Sequence, residues 1–263
     1  MQLKKKTKVI TILDNVIPHE RRPGDIVMTK YFLDQNTGFV AMSDVVKNDL
    51  LSLKPHAKYI RHEHPLYDHF GKKLSQEEAK KKLNIPEGKK VILFFGFIRD
   101  YKGLDLLISA MKDTPDDYYL VIAGEVYGDF TKYQQLIDEQ QLQNKIQTNV
   151  RYIDDGEVPL FFSAADVCVL PYRSATQSGI TSIAYHFDLP VIATDVGGLK
   201  ESIHDNSTGF IIDTPTSERI KQTIEKYFRD NKKEEFTSNI MKLKQELSWE
   251  HLAKSILDFA GKI

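Results

Sequence analysis

The chain has 263 residues, 41% of them hydrophobic, enough to bury a substantial core in one large or two modest domains. Its formal net charge of −1 gives no whole-chain attraction for nucleic acid or anionic lipid, and no run of about 18 apolar residues predicts a membrane span. The single cysteine, Cys168, lies in the apolar run 167–170, can form no internal disulfide and fits a reducing compartment. The start MQLKKKTKVITIL lacks the length and the small-residue cleavage site of a signal peptide, so a cytoplasmic protein is expected. Lys4, Lys5 and Lys6 fall short of the basic clusters that hold proteins to lipid, but leave the inner face of a membrane open as a place of work.

In chain order, the first predicted elements are a strand from Val9 to Leu13, another from Phe39 to Met42, a helix opening at Ser43 and a strand near Tyr59. Together they make about half of an α/β domain over residues 1–73, with a sheet edge left exposed. Leu74 followed by Ser75 and Glu78 reads as a capping box with an apolar residue ahead of it, starting a helix that runs through Leu83 and is ended by Pro86 and Gly88; residues 74–90 are read as a linker. From residue 91 to 247, apolar strands alternate with helical patterns: Val91 to Phe95, Tyr119 to Ala123, Val150 to Ile153, Val167 to Leu170, Val191 to Ala193 and Phe210 to Ile212. This alternation predicts a complete, doubly wound parallel sheet of the Rossmann-like kind, with Leu104, Leu107, Ile108 and Met111, and again Ile220, Ile224 and Phe228, as helix faces turned to the core. After Ser248, the stripe Trp249, Leu252, Ile256 and Phe259 predicts a final helix over 248–263.

The most informative stretch runs from Ser174 to Glu201, SATQSGITSIAYHFDLPVIATDVGGLKE. Gln177, Ser178 and Gly179 precede a helical run, so the backbone N–H groups of Gly179 and Ile180 are placed to meet a phosphate with the helix dipole behind them. Pro190 then opens a buried strand, and Asp195, Gly197 and Gly198 turn the chain into another helix. This segment resembles the donor-binding core of the family-4 (group 1) retaining glycosyltransferases, which have the GT-B fold. A second block, FFGFIRDYKGLDLL from Phe94 to Leu107, supports the resemblance. What the resemblance implies is an α/β, GT-B-like protein whose carboxyl-terminal domain holds a nucleoside-diphosphate sugar, with Arg99 and Lys102 on the diphosphate. A guanidinium and an ammonium three residues apart in a tight loop suit that task. It also implies transfer to an acceptor hydroxyl, of a glycan or a lipid-linked glycan, with retention, in the manner of a hexosyltransferase.

The chain departs from the family at several places. Relatives carry two glutamates on the donor sugar and ribose; the matching positions are Gln177, which with Ser178 can still contact sugar, and Tyr185, which can stack or offer one hydroxyl. No Asp-x-Asp pair is present, so charge neutralisation by Arg99, Lys102 and backbone amides is expected to suffice without a metal ion or any cofactor. In TILDNVIPHE, Asp14 and Asn15 stand where the family often has a histidine-asparagine pair. Asp14 is a candidate for stabilising positive charge or accepting a hydroxyl proton, and equally a turn cap; His19 is a candidate sugar or acceptor contact, or a structural histidine. His62 and His64 have no second ligand cluster beside them, so no zinc site is expected. In the relatives the final helix crosses back onto the amino-terminal domain, a role that 248–263 suits as well as it suits capping its own sheet. Compared with the family, the chain lacks roughly the first half of the amino-terminal domain, so a partner chain supplying that half is one expectation. A truncated or split-gene nucleotide-binding module with little transfer activity alone is the competing one. A nicotinamide enzyme is disfavoured because no G-x-G-x-x-G follows the strand at Val91.

Overall fold

In a computed structural model, which describes residues 7–17, 24–63, 65–66, 69–175 and 178–263, the chain divides into two compact units. One is drawn from the residues up to Pro65 together with Gln245–Ile263, the other from Leu66–Lys244. The first unit opens with β1 (Ile10–Leu13), α1 (Asp25–Asp34), β2 (Gly38–Ala41), α2 (Asp44–Leu53) and β3 (Tyr59–Arg61). The strands form a parallel sheet in the order β1-β2-β3. Central β2 is buried along its whole length, which is why its sequence, GFVA, is apolar without alternation. Ser43 caps α2 by accepting the N–H of Val46 at 3.2 Å, as its place in the sequence predicts. Helix α1 escapes the sequence pattern because its apolar residues follow no single face: Leu33 is buried, whereas Val27, Met28, Tyr31 and Phe32 are exposed.

The second unit contains α3 (Gln76–Lys82), β4 (Lys90–Phe95), α4 (Leu104–Ala110), β5 (Tyr118–Ala123), α5 (Thr131–Glu139), β6 (Ile146–Asn149), α6 (Val158–Ala164), β7 (Val167–Leu170), α7 (Gly179–His186), β8 (Val191–Thr194), α8 (Leu199–Ser202), β9 (Gly209–Ile212), α9 (Ser217–Arg229) and α10 (Lys232–Glu246). Ser75 accepts the N–H of Glu78 at 3.3 Å and so starts α3, and residues 74–90, read as a linker, are part of this unit. All six strands are parallel, in the order β6-β5-β4-β7-β8-β9. The fold is α/β with the expected doubly wound sheet. One strand is misplaced by the sequence reading: β6 is the polar IQTN at 146–149, and Val150 to Ile153 follow it as loop. As an edge strand, β6 buries little and tolerates polar side chains, so the neighbouring apolar residues mimic it.

At the amino-terminal ends of β4 and β7, the buried Asp166 carboxylate accepts the N–H of Val91 at 2.7 Å, Gln76 Nε2 at 2.9 Å and Lys233 Nζ at 2.5 Å, with Lys80 Nζ at 3.4 Å. At the other ends of these strands, successive connections diverge to opposite sides of the sheet, and a crevice is expected where they part.

The chain then returns to the first unit. Helix α11 (Trp249–Lys262), capped by Ser248 on the N–H of His251 at 3.1 Å, packs Leu252 against Val40 and Met42 of the first sheet, with Ile10, Ile60 and Ile256 beside them. Trp249 stays half exposed. No helix among the described residues is long and apolar enough to cross a membrane.

Candidate functional site

The carboxyl-terminal ends of β4, β5 and β7 are held together by backbone contacts that only glycine permits. A β-carbon on Gly124, whose φ is +143°, would sit 2.1 Å from the Gly96 carbonyl oxygen. Beyond β4 the chain makes a short 3-10 turn, Asp100–Lys102, closed by Gly103 with φ +66°; a β-carbon there would lie 2.0 Å from the Pro171 carbonyl oxygen. Arg173, just past β7, straps this turn down. Its N–H donates to the Tyr101 carbonyl at 2.7 Å, its Nη1 to the Asp100 carbonyl at 3.0 Å, and its fork to both Asp105 oxygens at 2.8 and 2.5 Å.

The strapped turn drives Lys102 inward, where it is only 8% exposed, with Nζ 5.6 Å from the centre of the Tyr172 ring. Arg99 lies over the exposed Tyr127 ring, its Cζ 4.5 Å from the centroid, and 5.8 Å from that of Phe97. No ion pair among the described residues includes either cation, although Arg173 and Lys132 nearby are both paired. Burial first, and the Arg99 charge second, lower the Lys102 pKa to about 8. The Cys168 thiol beneath is fully enclosed and pushed up to about 12 by burial, with Lys102 opposing, so it is an inert core group. Lys102 faces a cavity of about 220 Å³ lined also by Phe97, Glu125, Tyr152, Ile153 and Ile180.

Ser178 and Gly179 stand at the start of α7 as the sequence predicts, but the capping arrangement changes what Ile180 offers. Ser178 Oγ accepts the Ile180 N–H at 3.3 Å and lies 3.3 Å from the Tyr172 hydroxyl, so the Ile180 contribution to the cavity is its side chain. Tyr185 corrects the expectation of a ribose contact. It is buried, and its hydroxyl lies 2.6 Å from Thr208 Oγ1, because the later turn of α7 packs that side chain into the interior. Asp14 is exposed just past the end of β1 in the first unit. His19 and Gln177 lie outside the described residues. The structure thus gathers Arg99, Lys102 and Ile180 in one place, with Ser178 and Gly179 at the adjoining helix start. It adds Tyr127, Tyr152, Tyr172 and Arg173, none of which the sequence reading singled out. Among the described residues, no group of three histidine, cysteine or carboxylate side chains is placed to hold a metal ion.

Residues 75–242 match the family described as Glycosyl transferases group 1. Spore coat protein SA of Bacillus subtilis is 23% identical over 255 residues, which is 88% of this chain and 66% of that protein. The lipopolysaccharide core biosynthesis mannosyltransferase LpsB of Rhizobium meliloti is 30% identical over 142 residues, 51% of this chain and 40% of its own length. The chain therefore spans only 40 to 66% of these two relatives. Among solved structures, the Anabaena protein HepE in complex with UDP superposes with a TM-score of 0.79 over 97% of this chain and 72% of that one, at 15% identity, a likeness of fold. With a matching family model across most of its length and the parallel α/β architecture of GT-B proteins, this chain belongs to the group 1 glycosyl transferases.

Proposed function

We propose that the second unit binds a nucleoside-diphosphate sugar and that the protein transfers the sugar to an acceptor hydroxyl with retention at the anomeric carbon and without a metal ion. The observation that carries this reading is Lys102, a buried ammonium with no ion-pair partner among the described residues, at the carboxyl-terminal end of a doubly wound sheet. An ammonium kept out of water without an anion is costly, and a diphosphate entering the cavity supplies that anion. Arg99 then offers a planar fork to phosphate oxygens and Lys102 a point charge, with the Gly179 N–H at the start of α7 adding a donor. Two cations and a helix start neutralise the leaving diphosphate, the task a divalent ion performs elsewhere. Gln177 is proposed for the transferred sugar, and Asp14 and His19 for the acceptor hydroxyl.

The test is calorimetry of UDP, the nucleotide held by HepE, against the protein in chelator. Binding is expected; binding that appears only when magnesium or manganese is supplied overturns the metal-free reading. A second reading, a module that binds nucleotide but transfers little sugar alone, is favoured by the first unit's sheet of three described strands beside the six of the second. A protein that binds UDP yet releases no sugar from a labelled donor to any glycan acceptor selects it.

A further inference from the structure

We propose that Tyr127 is a positioning residue for the donor site, holding the Arg99 guanidinium on its ring so that the fork is aimed at the diphosphate before the diphosphate arrives; this rests on the donor-site reading above.

The placement originates in the backbone. The loops leaving β4 and β5 stay paired past the strand ends: Ile98 donates its N–H to the Glu125 carbonyl at 2.8 Å, Tyr127 donates to the Ile98 carbonyl at 3.0 Å, and Ile98 and Val126 form a parallel bridge. Extended chain alternates its side chains. Ile98 and Val126 turn to the core, so Phe97 and Arg99 on one loop and Tyr127 on the other turn outward together. The result is a guanidinium 4.5 Å from the centre of a ring that is itself 74% exposed.

An aromatic face suits this task where a carboxylate would not. A carboxylate would occupy the N–H fork and cancel its charge, as Asp105 does for Arg173. A ring face attracts the cation through its quadrupole and leaves the in-plane N–H donors open to phosphate oxygens. It also holds the guanidinium beside Lys102, whose pKa is lowered by burial first and by the Arg99 charge second. With the guanidinium already in place, less rotamer freedom is lost when the ligand binds.

The experiment is a double-mutant cycle read by calorimetry with UDP, and by NMR titration with uridine, on the unaltered protein, Tyr127→Leu, Tyr127→Phe, Arg99→Ala and the Tyr127→Leu/Arg99→Ala double variant. Tyr127→Leu is expected to weaken UDP binding about two- to fivefold, the scale of an exposed cation–π contact, and to leave uridine unchanged. Tyr127→Phe should restore affinity, since the ring remains, and Tyr127→Leu should add nothing once Arg99 is alanine. The inference is overturned if Tyr127→Leu leaves UDP affinity intact while Arg99→Ala lowers it, if uridine weakens as much as UDP, or if the two losses simply add. A protein that binds no UDP at all overturns the donor-site reading, and this inference with it.

Discussion

The two ends of the six-stranded sheet treat a buried charge in opposite ways. At the amino-terminal ends of β4 and β7, both oxygens of Asp166 are occupied. Burial acts to raise its pKa, but the Lys233 charge and hydrogen bond, with those from Val91 and Gln76, hold the carboxyl below the usual range. At the carboxyl-terminal ends, Lys102 has the Tyr172 ring and a neighbouring cation but no ion pair among the described residues, and its charge is weakened instead of supported. A charge that the fold completes joins chain segments; a charge that the fold leaves incomplete has its attraction for an opposite ion still unspent. Asp166 joins α3, β4 and α10 in this way.

The largest effect expected from this contrast is on stability at the Asp166 end. Asp166→Ala leaves the Val91 N–H without its acceptor and takes the carboxylate from Gln76, Lys80 and Lys233, and should cost about 3–5 kcal/mol in urea unfolding, the scale of a broken buried pair. Because the folded pKa of Asp166 is lowered, its contribution is present above the unfolded carboxylate value and lost as pH falls through the folded one. A cost under about 1 kcal/mol would reduce Asp166 to the level of a surface pair. Next comes Lys102→Ala, which should weaken UDP binding by about 1–3 kcal/mol while leaving the urea midpoint unchanged or raised. A destabilisation matching that of Asp166→Ala would erase the distinction between the two ends.

The smallest effect is the pH dependence of binding. In the ligand-free protein Lys102 loses its proton as pH passes about 8, whereas unfolded lysine does so near its ordinary value of 10.5. The unfolded state therefore binds more protons between these values, and stability rises with pH across that window. UDP affinity moves the other way, falling about fourfold between about pH 7 and pH 8.5 if the bound form keeps its proton. Titrations across this range sharpen the contrast if Lys102→Arg abolishes the decline, and break it if the decline persists in that variant.

Much of the second unit is legible in its sequence, because parallel strands buried on both faces are written as continuous apolar runs, as in KVILFF and VCVL. The spacing of Arg99 and Lys102 is legible for a similar reason, since one tight turn sets it. Three features are not. The edge strand β6 carries no apolar run, and the residues that resemble one, Val150 to Ile153, follow it as loop, where Ile153 lines the cavity. The expectation for Tyr185 rests on correspondence with a charged position, but α7 buries Thr181, Ile183, Ala184 and Tyr185 together. Tyr127 and the Arg173 strap depend on pairings between loops distant in the chain; Arg173 and Asp105 are separated by 68 positions, which no local pattern records.

The return of α11 to the first unit sets an order of events during synthesis. Leu252 packs on Val40 and Met42, so a core begun around β2 is completed only once the chain has been made as far as α11. The second unit is continuous, and each of its strands is translated before α11. The usual sequence, in which the earlier part of a chain folds first, is thereby reversed between the two units: the second sheet can close while the face of the first that α11 covers still waits for that helix. That interval, whose length is set by the elongation rate, is when the nascent chain is most exposed to chaperones and to its own neighbours on a polysome.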